Sequence, residues 1–225
     1  DLSVRRIAPR GSKAQLGNLP AMYAWIDTRR LDGEIGYIRV SMFLDPSQLM
    51  TRYNEAMQSF LDARGVVLDL RGNLGGIGAM AMGMAGWFAE EDGLRLGVMK
   101  TREGEVRFAL NARATPFTGP VAVLVDGLSA STSEILAGGL QGLGRARVFG
   151  SRTAAAALPS MIERLPNGDG FQYAIANYIS EGGVTLEGVG VKPDVEIVPD
   201  RAQLLEGRDP VLEAALDWIR QGGGS

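Results

Sequence analysis

Two six-residue runs restrict this chain more than anything else in it: Gly65-Val66-Val67-Leu68-Asp69-Leu70 and Val121-Ala122-Val123-Leu124-Val125-Asp126. Each is apolar with almost no alternation and too short for an ordinary helix, which is the pattern of a strand buried on both faces. Such a strand needs cover above and below, and each run is followed by a turn and then a stretch with helical spacing. The chain is therefore read as α/β, with a largely parallel central sheet flanked by helices.

Further strands are expected at Ile35 to Val40, around Leu94 to Lys100 and Glu105 to Leu110, near Arg147 and Ile162, and across Phe171 to Ile179. Helices are expected from Asp45-Pro46 to about Ala63, from about Ala79 to Glu90, from Ser131 to Leu143 and from Asp209-Pro210 onward. The last places Leu212, Ala215, Leu216 and Ile219 on one face. Met80, Met82 and Met84 fall in the second helix, where core packing is the plainer reading and an adaptable pocket the alternative. Residues 1–30, basic at Arg5, Arg6 and Arg10 and broken by Pro9, Gly11, Gly17 and Pro20, read as a lead-in strand and linker ending an upstream domain. Residues 31–221 form the core, and 222–225 a flexible tail.

At 225 residues, 45% hydrophobic and 22% charged, the chain has a globular balance and can bury a core without disulfides or metal. The net charge of −3, from 23 basic and 26 acidic residues, argues against nucleic acid as a main partner. There is no cysteine, so neither disulfide nor thiol chemistry is available. There is no histidine either, which removes the commonest general base and metal ligand. That excludes Ser-His-Asp chemistry unless the histidine comes from another polypeptide. No metal or cofactor is expected. Lysine bases are confined to Lys13, Lys100 and Lys192, since arginines hold their protons. The longest apolar stretch, around Ala79 to Ala89, is far short of the ~20 residues of a membrane span.

Ligands of parallel sheets gather outside the carboxyl ends of the strands, so the turns ending the two buried runs are where chemistry is sought. The first is Asp69-Leu70-Arg71-Gly72-Asn73-Leu74-Gly75-Gly76, whose glycines can bare backbone N–H groups to an anion. The plainer alternative is a tight left-handed turn before a helix. The second, Asp126-Gly127-Leu128-Ser129-Ala130-Ser131-Thr132-Ser133-Glu134, sets hydroxyls at a strand-to-helix turn beside unpaired N–H groups. A serine nucleophile is presented in this way. Ser131 with Glu134 three residues on is also a capping-box pattern, and Ser129, Ser131 and Ser133 could each be a cap.

Together these segments resemble the carboxy-terminal processing (tail-specific) serine peptidases, peptidase family S41, from about Gly33 to Pro199. Gly36-Tyr37-Ile38-Arg39-Val40 and the Gly65 to Gly76 segment are similar to the family's entry strand and its Asp-Leu-Arg-x-Asn-x-Gly-Gly turn. Ser129 to Leu140 is similar to its nucleophile segment. Glu187-Gly188-Val189-Gly190-Val191-Lys192-Pro193-Asp194-Val195 is similar to its closing Glu-Gly-x-Gly-Val-x-Pro-Asp motif. The resemblance implies a crotonase-like, tail-specific-protease catalytic core acting on extended or unfolded polypeptide. It makes Ser131 the nucleophile and the backbone N–H groups of Gly76 and Thr132 the oxyanion hole. Acyl transfer needs an attacking oxygen and two donors, and each corner would supply part of that set.

One departure changes the expected mechanism. Many members carry a lysine base in a Gly-Lys-Gly segment, whereas this chain reads Gly150-Ser151-Arg152-Thr153-Ala154-Ala155-Ala156-Ala157-Leu158-Pro159-Ser160, with Ala156 in the lysine's place. Alanine cannot take a proton. Lys192 falls at a variable position of the closing motif and reads as solvent-facing. A tricorn-like branch uses a Ser-His-Ser-Glu constellation whose histidine precedes a PDZ domain. Its glutamate maps onto Glu187, for which a turn carboxylate beside Gly188 is the alternative. The expectation is a serine endopeptidase core whose base, and a PDZ domain with it, lie upstream, in a bacterial extracytoplasmic compartment. No oligomeric state is implied. Two other readings use this fold: a non-catalytic module holding an apolar ligand, as in retinoid-binding modules, and a crotonase-like acyl-CoA enzyme. The intact serine segment weighs against the latter.

Overall fold

A computed structural model describes residues 3, 7–32 and 34–224; Arg5 and Arg6 of the lead-in, Gly33 and Ser225 lie outside the described residues. In chain order the elements are β1 (Ser12–Ala14), β2 (Met22–Ala24), β3 (Ile26–Leu31), β4 (Ile35–Val40), α1 (Pro46–Ser59), β5 (Gly65–Asp69), α2 (Gly78–Ala85), β6 (Arg95–Lys100), β7 (Glu105–Ala109), β8 (Val121–Val125), α3 (Thr132–Gly142), β9 (Arg147–Gly150), β10 (Ser160–Arg164), β11 (Gly170–Ala174), β12 (Asn177–Ser180), β13 (Val195–Glu196), α4 (Arg201–Leu205) and α5 (Pro210–Arg220).

Six strands form the central sheet in the order β13-β9-β8-β5-β4-β3, parallel throughout except for β3, which pairs antiparallel to β4 at one edge. The steps β4 to β5, β5 to β8 and β8 to β9 all advance one place in the same direction, so crossovers of one hand lay their helices on one face. That face packs Ile38, Val40, Val66, Leu68, Val123 and Val148 against α1, α2 and α3, through side chains such as Tyr53, Met57, Met80, Met84 and Leu136. On the other face Tyr37, Val67, Ala122, Leu124 and Phe149 meet Val211, Ala215 and Ile219 of α5. Alternate residues of β5 and β8 thus serve opposite cores, which is why these runs carry no polar alternation. A second sheet, β12-β6-β7, is antiparallel, and β1-β2 and β10-β11 are separate hairpins.

The structure departs from the sequence expectations at several ends. Helix α1 stops at Ser59 because Phe60 turns inward, its ring lying against Gly36, where a Cβ would come within 2.5 Å of it. Helix α2 stops at Ala85, with Gly86 pressed to the carbonyl of Asn111. Phe171 to Ile179 is two strands, one pairing with β10 and the other with β6. Helix α4 and the two-residue β13 were not anticipated. Met80 and Met84 are buried in the core. Among the described residues no helix is long and apolar enough to cross a membrane.

Candidate active site

Strands β5 and β8 are neighbours, so the turns that follow them meet at the carboxyl edge of the sheet. Asp126 Oδ1 ties them together by accepting the N–H groups of Gly72 and Leu128, each at 3.0 Å. The Ala130 N–H donates to the Asn73 carbonyl at 3.0 Å. Asn73 is buried; its Nδ2 donates to the Val40 carbonyl and its Oδ1 accepts the Gly75 N–H, both at 2.9 Å. Behind the first turn, Arg71 donates to both Asp69 and Asp209, the N-cap of α5. Burial alone would raise the Asp209 pKa, but the hydrogen bonds and charge of Arg71 overcome it and hold the carboxyl below its usual range. Burial, and then the Asp69 carboxylate that its hydroxyl contacts, pushes the Tyr37 pKa up.

The three serines of the second turn separate cleanly. Ser129 and Ser133 are buried, and their hydroxyls donate to the carbonyls of Leu70 and Asn73 at 2.9 and 2.8 Å. They hold the turns together. Ser131 is only half-buried and stands at the N-cap position of α3, its N–H donating to the Glu134 carboxylate. An ordinary cap has extended backbone, yet Ser131 sits at φ 55°, ψ −116°. Such a conformation costs a non-glycine residue about 1–3 kcal/mol and gathers at functional sites. The cap reading accounts for the hydrogen bonds but not for this strain.

Two glycines bring the first turn against Ser131. A Cβ on Gly75 would lie 2.7 Å from the Ser131 Cβ and 3.0 Å from the Thr132 nitrogen. Gly76, at φ 137°, lies against Phe43, whose N–H donates to the Gly75 carbonyl and whose carbonyl accepts the Ile77 N–H. Those bonds leave the Gly76 N–H directed away from Phe43. The Thr132 hydroxyl donates to the Gly76 carbonyl at 2.8 Å, closing the two turns on each other. Among the described residues neither the Gly76 N–H nor the Thr132 N–H is engaged in a hydrogen bond. Two free donors beside a strained serine can receive a developing oxyanion.

Glu134 does far more than cap. Fully buried, its carboxylate accepts the Ser131 N–H (2.9 Å), the Thr153 hydroxyl (2.6 Å) and the N–H groups of Ala155 (2.9 Å) and Ala156 (3.0 Å). The Ser131 N–H also faces the Ala156 carbonyl at 2.9 Å. The segment expected to carry a base is therefore fastened to the serine by backbone bonds. Its Ala156 is exposed and offers no proton acceptor. Sequence reading noticed Glu134 only as a cap partner and missed Thr153, since contacts between residues so far apart leave no local pattern.

Glu187 is exposed, and its Oε2 accepts the N–H groups of Ala157 (2.8 Å) and Leu158 (3.1 Å), one residue beyond Ala156. Lys192 is exposed, and its carbonyl bonds to Gln141 near the far end of α3. At 1.5 Å per helical residue that is roughly 15 Å from Ser131. Lys100 pairs with Glu105 at 3.4 Å, and Lys13 is exposed on β1. Among the described residues none of the three lysines shares a hydrogen bond with Ser131.

The model of peptidase family S41 matches residues 34–197. A carboxyl-terminal-processing protease of Picosynechococcus sp. is 31% identical over 195 residues, covering 84% of this chain and 46% of that protein. A protein of the same name from Synechocystis sp. is 30% identical, covering 92% and 49%. Among solved structures, a photosystem II D1 C-terminal processing protease superposes with a TM-score of 0.64 at 26% identity, covering 79% of this chain and 48% of that one. The chain spans less than half the length of each of these relatives. With a matching family model over most of its length, and with the fold of that family's solved members, the chain belongs to peptidase family S41.

Proposed function

We propose that these residues are the core of a serine peptidase that hydrolyses extended or unfolded polypeptide, with Ser131 as nucleophile. The observation that carries this reading is the pair of unengaged N–H groups, on Gly76 and Thr132, beside a serine held at φ 55°. In the attack the Ser131 Oγ–H proton passes to a base, Oγ bonds to the scissile carbonyl carbon, and the carbonyl oxygen takes up the electron pair between the two donors. Collapse expels the amine with the proton returned from the base, and water then hydrolyses the acyl-enzyme. Relatives named carboxyl-terminal-processing proteases support action near the C-terminus of the substrate.

The base comes from polypeptide outside these residues, because the chain has no histidine and alanine stands at the family's lysine position. A histidine-bearing upstream segment followed by a PDZ domain fits that need. Glu187 keeps Oε1 outside its two hydrogen bonds, and in this reading that oxygen steadies the incoming base as a positioning residue. A setting outside the bacterial cytoplasm belongs to the same reading, and cell fractionation checks it. The main test is hydrolysis of denatured casein by this chain and by the longest polypeptide its gene encodes, each with a Ser131→Ala control. Activity in the longer form, abolished by the substitution, is expected. Activity in neither would favour a non-catalytic binding module.

A further inference from the structure

At the opposite edge of the sheet from Ser131, where β8 and β9 begin, lies a groove of about 590 Å³ that the chemistry above does not use. The length of β8, roughly 17 Å, separates it from the nucleophile's corner. Arg145, Arg147, Asp194, Trp218 and the segment from Gly222 to Gly224 line it. That last wall is held in place. The Gly223 N–H donates to the Trp218 carbonyl at 3.0 Å, and the Gly224 carbonyl accepts Trp218 Nε1 at 2.8 Å and Arg147 Nη1 at 3.2 Å. Gly223 is at φ 68°, and a Cβ there would come within 2.4 Å of Pro120, so the segment needs glycine to lie so close.

The two guanidiniums are half-buried, Arg145 over the ring of Phe88 and Arg147 over that of Trp218. Arg145 donates through Nε and Nη2 to the carbonyls of Phe88, Phe117 and Gly119. Among the described residues neither arginine forms an ion pair, and Arg145 Nη1 and Arg147 Nε and Nη2 have no partner. Other arginines of the chain do pair, Arg71 with Asp69 and Asp209, Arg95 with Glu181 and Arg208 with Glu213. Carbonyls satisfy the hydrogen bonds of Arg145 but leave its charge uncompensated. Burial accordingly lowers its pKa, and Glu90, which makes no ion pair with it, offsets this only in part. Asp194 does not supply the missing charge. Its Oδ2 accepts the Val148 N–H at 2.7 Å and its Oδ1 the Gln141 amide at 2.9 Å.

We infer that this groove is a binding site for a small multivalent oxyanion, a phosphate or polycarboxylate compound, held between Arg145 and Arg147. Guanidinium forks match the paired oxygens of both groups, and the spare donors of the two arginines are what such a ligand engages. The volume falls within the range of small-molecule sites, and the Trp218 ring gives the ligand's carbon or ester portion an apolar wall. With two guanidiniums against one engaged carboxylate, the groove is positive in a chain whose net charge is −3. The site does not depend on the peptidase reading.

The test is calorimetric titration of pyrophosphate and of citrate into the longest polypeptide the gene encodes, with Trp218 emission followed in parallel. One site per chain is expected for at least one of the two, and binding of only one would fix the ligand class as phosphate or carboxylate. Arg147→Gln should weaken binding about tenfold, and Arg147→Lys, which keeps the charge and loses the fork, about threefold. Arg107→Gln removes the same charge from an exposed position on β7, outside the groove, and should leave the affinity within about twofold. The anion should change the emission of the parent protein, and Trp218→Phe should remove that change. Casein hydrolysis without added anion should be the same in Arg147→Gln as in the parent, since the groove and the serine lie at opposite edges. No binding of either anion, binding indifferent to Arg147→Gln, or equal weakening by Arg107→Gln would overturn the inference.

Discussion

The two strand-turn-helix corners are built on one plan and solve opposite problems. Each follows a fully buried strand, β5 ending in Asp69 and β8 in Val125, and passes through a turn into a helix packed on the same sheet face. The first corner obtains its unusual backbone from glycines, with Gly72, Gly75 and Gly76 all at positive φ. For glycine this conformation carries little steric cost. The second places a serine at positive φ and surrounds it with the hydrogen bonds of Glu134 and Ala156 that hold it there. One corner provides donors by removing side chains; the other provides a hydroxyl by tolerating strain. A corner that served only to begin a helix would need neither.

Substitutions can break this division of labour in order of expected effect. Ser131→Gly should lower casein hydrolysis by about 10⁴-fold or more. It should also raise folding stability by about 1 kcal/mol, since relief of 1–3 kcal/mol of strain outweighs the added freedom of glycine in the unfolded chain. Urea denaturation beside the activity assay would show both. Gly75→Ala should cost about 3 kcal/mol or more, because its Cβ would meet Ser131 at 2.7 Å in a left-handed backbone. Gly72→Ala, with nothing within 4 Å, should cost only about 1 kcal/mol of backbone strain. Similar costs for the two glycines would contradict the close fit of the corners.

Ala156→Lys tests the same fit from the side of the missing base. The residue is exposed and its backbone is bonded to Ser131 and Glu134, so a lysine there should be tolerated and bring an amine to the hydroxyl. General-base catalysis contributes about 10²–10⁴-fold, and casein hydrolysis by this chain alone should rise by about 10². No gain in a well-folded variant would place the base elsewhere. The smallest effect concerns the anchor behind the first corner. A carboxyl with a depressed folded pKa, as at Asp209, stabilises the fold above its unfolded pKa of about 4 and loses that contribution as pH falls through the folded value. Asp209→Asn should therefore lower the urea midpoint at neutral pH and flatten its decline below pH ~4.

Much of this was legible in the sequence because it is local. Unbroken apolar runs marked β5 and β8, and the glycines and serines after them marked the corners. Asp45-Pro46 and Asp209-Pro210 marked the starts of α1 and α5, where both aspartates accept backbone N–H groups. What could not be read depends on partners distant in sequence. The break between Ala174 and Asn177 follows from pairing with two different strands, and Gly86 ends α2 because Asn111 approaches it. The four donors gathered by Glu134 come from two segments joined only by the fold, so in the sequence Glu134 reads as an ordinary cap partner. By local pattern alone Ser129, Ser131 and Ser133 could each be a cap; the family resemblance singled out Ser131, and burial separates it from the other two.

The most direct test of Ser131 as the nucleophile is covalent labelling by a fluorophosphonate, mapped by mass spectrometry, in the longest polypeptide the gene encodes. Label on Ser131, none on Ser129 or Ser133, and its loss in the Ser131→Ala variant are the predicted result. A labelled Ser129 or Ser133, or an unlabelled Ser131 in a protein that hydrolyses casein, would contradict the assignment.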